Sequence, residues 1–112
     1  MPAKAIRSKV LSISCSEIMK LLADETRLQI VELLISGGRR VEEINARVKI
    51  DPTLLSYHLR ILRQAKLIVG KRSGRHISYQ ISPQVRRSVQ SRVLDFGCCK
   101  VSFNDRQAIP QA

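Results

Sequence analysis

The chain has no tryptophan, and its two tyrosines and two phenylalanines make up only 4% of 112 residues. So few rings exclude a protein that grips single-stranded nucleic acid by stacking bases on aromatic side chains. Histidine is almost as scarce: His58 and His76 are the only two, and neither has a Cys or a carboxylate beside it in sequence. No metal-ligand pair stands at helical spacing, no glycine-rich loop could cradle phosphate, and no nucleophile elbow is present. An enzyme is therefore not expected, nor is an organic cofactor. No apolar run approaches the roughly 18 residues that a membrane-spanning helix needs. Val10-Leu11-Ser12-Ile13-Ser14, behind Lys4, Arg7 and Lys9, is too short and polar for a secretory signal. The expected location is the cytoplasm, with no membrane partner. Three cysteines in such a chain suggest thiol chemistry or metal binding in place of a disulfide scaffold. Acidic residues are the last scarcity. Nine Asp and Glu face 20 Lys and Arg, a net charge of +11, and an excess this large points to a polyanionic partner.

The length fits one domain, whose modest core favours stabilisation by dimerisation. Residues 1–14 read as a basic arm, 15–97 as the folded domain and 98–112 as a thiol-bearing tail. A short helix is expected from Cys15 to Leu22, with Ile18, Met19, Leu21 and Leu22 apolar. Asp24 caps a second, whose Leu28, Val31 and Ile35 share a face and which Gly37-Gly38 ends. Residues 41–48 form a third, short and amphipathic. Asp51 is the N-cap of a fourth, with Pro52 at its first position. There Leu55, Leu59 and Leu62 recur at i, i+4, i+7. Two β-prone runs, 67–72 and 76–81, flank the turn Arg72-Ser73-Gly74-Arg75, where Gly74 supplies the positive φ. A final helix over roughly 84–96 is expected from the spacing of Val85, Val89, Val93 and Phe96. The fold class is mainly α with a small β-hairpin (α+β), in the order α-α-α-α-β-β-α: a winged helix-turn-helix.

That arrangement meets duplex DNA with its second motif helix in the major groove and its hairpin on the flanking backbone. Small polar residues suit the start of a groove-facing helix, and Thr53, Ser56 and Tyr57 stand there. Arg60 and Arg63 follow one and two turns later, as candidates for base or phosphate contact. The wing offers Lys71, Arg72, Arg75 and His76. His58 lies on the other side of the helix and is expected to bond within the domain, with Tyr79 expected in the core.

Three stretches in order, Ser56-Tyr57-His58-Leu59-Arg60-Ile61-Leu62, Ala65-Lys66-Leu67-Ile68 and Arg72-Ser73-Gly74-Arg75, follow LLADETRLQIVELL. Together they resemble the ArsR/SmtB family of bacterial metal-responsive repressors over residues 18 to 97. The resemblance implies a homodimer built on the first and last helices, bound to an inverted repeat in double-stranded operator DNA and released by an inducer. Two inducer sites of that family are absent. The helix before the recognition helix reads Arg39-Arg40-Val41-Glu42-Glu43-Ile44 and has no thiol. The expected last helix has no histidine.

The thiols that remain are Cys98 and Cys99, with Cys15 far upstream. Neighbouring cysteines have Cα atoms about 3.8 Å apart, below the usual disulfide range. They can share one soft ion if Gly97 has ended the helix. Trivalent arsenic or antimony wants three sulfurs, and Cys15 is the one possible third. The family's arsenite sensors with a vicinal pair near the C-terminus imply such an inducer here. Other thiophilic ions (cadmium, lead, zinc, copper), redox sensing through a bond from Cys15 to Cys98 or Cys99, and a DNA-binding regulator that responds to no ligand remain alternatives.

Overall fold

The computed structural model describes residues 13–103. The basic arm, save its last two residues, and the tail after Phe103 lie outside them. Helix α1 spans Cys15–Leu22 and α2 Glu25–Leu34. Each starts on the residue that can cap it: the Ser14 hydroxyl accepts from the Glu17 N–H and the Asp24 carboxylate from the Arg27 N–H. Helix α3, Val41–Val48, ends on Lys49 in the left-handed region. Helix α4, Pro52–Gln64, starts as its sequence requires, with Asp51 accepting from the Thr53 N–H and proline in the first turn. Leu55, Leu59 and Leu62 of α4 are buried against Ile30, Val31, Leu34 and Ile35 of the α2 segment and Ile44 of α3. Leu62 is fully buried. Its replacement by alanine is expected to cost about 2–5 kcal/mol, because the helices around it can only partly close the void; urea unfolding of the variant measures this.

The wing is a three-stranded antiparallel sheet. Strands β2 (Ile68–Ser73) and β3 (His76–Ile81) pair from Ile68↔Ile81 to Ser73↔His76, turning at Gly74 with φ +60. A two-residue strand β1, Arg39–Arg40, was not evident from sequence and adds to the far side of β3. It ties the α2–α3 connection to the wing.

The expected last helix is not there. Residues 84–96 enter a second antiparallel sheet, β4 (Arg86–Ser88), β5 (Val93–Asp95) and β6 (Lys100–Ser102), in that order. The order α-α-α-α-β-β-α is therefore corrected at its final element, and among the described residues a dimer built on the first and last helices has no last helix to use. Part of the reason is local. Val85, Val89 and Val93 do recur every four residues, but the segment holds three valines and two serines, with one leucine and no alanine to favour helix. The inward pattern has period two: Leu94 and Phe96 are buried, as is Phe103 beyond β6, whereas Val89 is half exposed.

A polar junction holds α1, α2 and α4 together. Arg27 donates through Nε to the Leu21 carbonyl (2.7 Å), and its Nη1 lies 3.2 Å from Nδ1 of buried His58. Arginine has no acceptor, so Nδ1 is the accepting nitrogen. His58 thus bonds within the domain, as expected. Burial pushes the Asp24 carboxyl upward, but the Arg27 and Thr26 N–H groups and the Arg27 charge outweigh this and leave it below the ordinary aspartate value. A lowered carboxylate contributes stability that is present above the unfolded value, about pH 3.9, and lost as pH falls through the folded value. Asp24→Ala should therefore cost about 0.5–2 kcal/mol at neutral pH. The gap should shrink below about pH 3.9, as thermal unfolding across pH would show.

Candidate nucleic-acid interface and thiol centre

Helix α4 and the wing carry one continuous basic face. Thr53, Ser56, Tyr57, Arg60 and Arg63 of α4 are all exposed, as are Lys71 and Arg72 of β2, Arg75 of the turn and His76 of β3. Capping by Asp51 and burial of the leucine face fix the rotation of α4, and that rotation aims the polar residues outward. Ser56, Arg60, Arg63 and Arg75 line one cleft of about 510 Å³ between helix and wing. The Arg60 guanidinium stands 6.0 Å from the Tyr57 ring centre, a cation–π contact that restrains both side chains. Thr53, Lys71, Arg72 and His76 are not among the walls of that cleft. Tyr79 is half-buried, packs on the core and lines the cleft from the wing side.

Glu42 was missed in the sequence. It lines the same cleft, and its Oε2 lies 3.2 Å from Nδ1 of His76. Its own backbone N–H and His76 hold this carboxyl below the usual range. The partners are 34 residues apart, so no local pattern announces them. The contact ties the wing to the start of α3.

The three cysteines meet although 83 residues separate the first two. Cys15 is the first residue of α1. Cys98 and Cys99 follow Gly97 in the β5–β6 connection, where the Phe96 N–H donates to the Cys99 carbonyl and Gly97 takes φ +93. Positive φ at the first central residue is what a two-residue hairpin turn demands, and glycine supplies it. Cys15 and Cys98 are disulfide-bonded, with Cα atoms 5.9 Å apart. Cys99 is free and half-buried, its sulfur 3.8 Å from that of Cys98. All three sulfurs lie within 4.8 Å of one another. Zinc–thiolate bonds of about 2.3 Å put the sulfurs of one ion at most about 4.6 Å apart, so the reduced trio needs only small side-chain shifts to share an ion.

Residues 24–69, from the cap of α2 to the start of the wing, match the model for bacterial regulatory proteins of the arsR family. The transcriptional repressor SdpR of Bacillus subtilis (strain 168) is 31% identical over 81 residues, covering 72% of this chain and 90% of that protein. The chain belongs to the arsR family. The arsenical resistance operon repressor of Escherichia coli (strain K12) is 34% identical over 70 residues, 62% of this chain and 60% of that one. A homodimeric winged helix-turn-helix DNA-binding domain from Mycobacterium bovis superposes with a TM-score of 0.57 at 33% identity, covering 62% of this chain and 64% of that one. As an arsR-family member the chain is a winged helix-turn-helix transcriptional regulator, not an enzyme. Among the described residues no helix is long and apolar enough to cross a membrane.

Proposed function

We propose that this arsR-family protein is a cytoplasmic, homodimeric repressor that binds an inverted repeat in operator DNA and is released when trivalent arsenic or antimony is captured by Cys15, Cys98 and Cys99. The carrying observation is the convergence of these three sulfurs within a single chain. Arsenous acid reacts with three thiols, each thiol proton leaving with one hydroxyl as water, to give three arsenic–sulfur bonds and three waters, and soft sulfur ligands are those such an ion selects. The similarity to the Escherichia coli arsenical repressor supports the same inducer class. In this reading Thr53, Ser56 and Tyr57 meet base edges, Arg60 and Arg63 meet bases or phosphates, and Lys71, Arg72, Arg75 and His76 meet flanking phosphates. The homodimer of the Mycobacterium bovis relative supports a two-fold arrangement. Among the described residues no helix follows α4, so α1 and the C-terminal sheet supply the contact; Met19 of α1 and Val89 of the β4–β5 turn are large apolar residues in the open.

Release follows from where the thiols sit. An ion held by all three ties the start of α1 to the β5–β6 turn. If those elements form the dimer contact, the tie changes the angle between the two α4 helices. Half-sites about one DNA turn apart tolerate little such change. Arsenite added to reduced, metal-free protein should give a stoichiometric rise in sulfur-to-arsenic charge-transfer absorbance. Cys98→Ser and Cys99→Ser should remove it, and Cys15→Ser separates a three-sulfur site from a two-sulfur one. A flat titration overturns the inducer.

The Cys15–Cys98 bond favours a second reading, release by oxidation. Hydrogen peroxide would take two electrons and two protons from Cys15 and Cys98, forming the disulfide and two waters. Peroxide that lowers operator affinity in wild type but not in Cys15→Ser would select this reading over arsenic; equal response in both discards it.

A further inference from the structure

A second cleft, of about 290 Å³, lies between α2, β1, the end of α3 and the C-terminal sheet. It shares no wall residue with the cleft beside α4 or with the cysteines. Three arginines reach it from three elements: Arg39 of β1, Arg47 of α3, and Arg92 from the turn between β4 and β5. Glu32 of α2 is the acidic wall residue, so the wall carries a net charge of +2, three guanidinium groups less one carboxylate.

Two features are unexplained by the fold alone. The Nε of Arg39 is buried and has no hydrogen-bond partner among the described residues, while its Nη2 donates to the Ser36 hydroxyl at 3.2 Å. A buried N–H left unpaired is costly, and native proteins rarely keep one without a use. Arg92 adopts φ +55, a left-handed backbone that a residue with a Cβ seldom accepts. It is held there by the Phe103 N–H donating to its carbonyl (2.8 Å) and by its own Nε donating to the Phe103 carbonyl (3.1 Å). Its Nη2 then meets Glu32 Oε2 at 2.6 Å. The strained turn fixes a guanidinium at the mouth of the cleft.

We propose that this cleft binds a small phosphomonoester, a ligand distinct from the thiol-directed inducer. A phosphomonoester at neutral pH carries close to two negative charges and three strong acceptor oxygens, which matches the +2 wall. Guanidinium forks pair bidentately with phosphate oxygens, and three of them carried on different elements offer more donors than a flat carboxylate can accept. The orphaned Arg39 N–H gains an acceptor. Leu33 and Val48 complete the wall with an apolar patch, so the organic part should be short and partly apolar. The site bridges α2, α3 and the C-terminal sheet, so its occupant would brace the DNA-binding half against the thiol-bearing half.

The test is methyl-labelled NMR of the full chain titrated with glycerol 3-phosphate, against potassium chloride at matched ionic strength. Saturable shifts of the Leu33 and Val48 methyls are expected. Arg47→Gln and Arg39→Gln should each weaken binding about tenfold, the size of one lost charge-assisted pair. Arg47 is exposed, so its variant remains informative if the Arg39 variant fails to fold. Shifts that never saturate, or that chloride reproduces, overturn the proposal. So do shifts confined to the Leu59 and Ile77 methyls of the cleft between α4 and the wing and unaffected by Arg47→Gln, which would show phosphate bound only on the DNA-facing surface.

Discussion

Operator affinity is expected to fall about ten-thousandfold between 50 and 200 mM salt. Each half of the proposed interface presents Arg60, Arg63, Lys71, Arg72 and Arg75 in the open. If a dimer neutralises about eight phosphates with these, log K falls with log salt at a slope near −7. The two sides of the interface then separate by substitution. Arg75→Ala removes one phosphate contact per half-site, so it should weaken all sequences alike and reduce the slope by about 2. Ser56→Ala removes a hydroxyl proposed to meet base edges, so it should weaken the operator and leave non-specific binding and the slope unchanged. Fluorescence anisotropy across a salt series, on operator and scrambled duplexes, reads all of this. Equal losses on both duplexes for both variants would sink the division of labour.

The second large effect concerns release. Wild-type protein, fully reduced, should leave its operator on addition of stoichiometric arsenite, whereas Cys98→Ser and Cys99→Ser should stay bound. A serine hydroxyl is a poor ligand for a soft ion, and losing one of three sulfurs turns a pyramidal site into a two-coordinate one. Neither cysteine lines the cleft between α4 and the wing, so operator affinity without arsenite should match wild type, which makes the experiment diagnostic. Pre-oxidised wild type, with Cys15 and Cys98 bonded, should also fail to take up arsenite until a reductant is added. Charge-transfer absorbance and operator binding measured on the same samples test both statements; release of the two serine variants by arsenite would overturn the thiol site.

The helix-turn-helix was readable because its signals are local. Asp24, Asp51 and Pro52 mark starts, and the leucines of α4 mark one face. Gly74 marks the wing turn, since a cap or a positive φ depends on neighbours within a few residues. The segment after Pro83 was misread for the complementary reason. Four apolar residues at helical spacing also fit strands, and the choice depended on Phe103, outside the segment, which packs with Leu94 and Phe96 in the core. The wing salt bridge between Glu42 and His76, and strand β1 beside β3, likewise needed partners that sequence does not place side by side.

The cysteines divide along the same line. By itself the sequence determined that this is a basic, winged helix-turn-helix chain with a vicinal thiol pair and one distant thiol. Composition, caps and periodicities are properties of the chain alone. Only the tertiary structure decided that the last element is a sheet. Only it decided that the β5–β6 turn carries Cys98 to Cys15 within one chain, and that Arg39, Arg47 and Arg92 surround one cleft. Each of those depends on pairings that the local sequence pattern does not specify, and such contacts form only once burial of the shared core has brought the elements together.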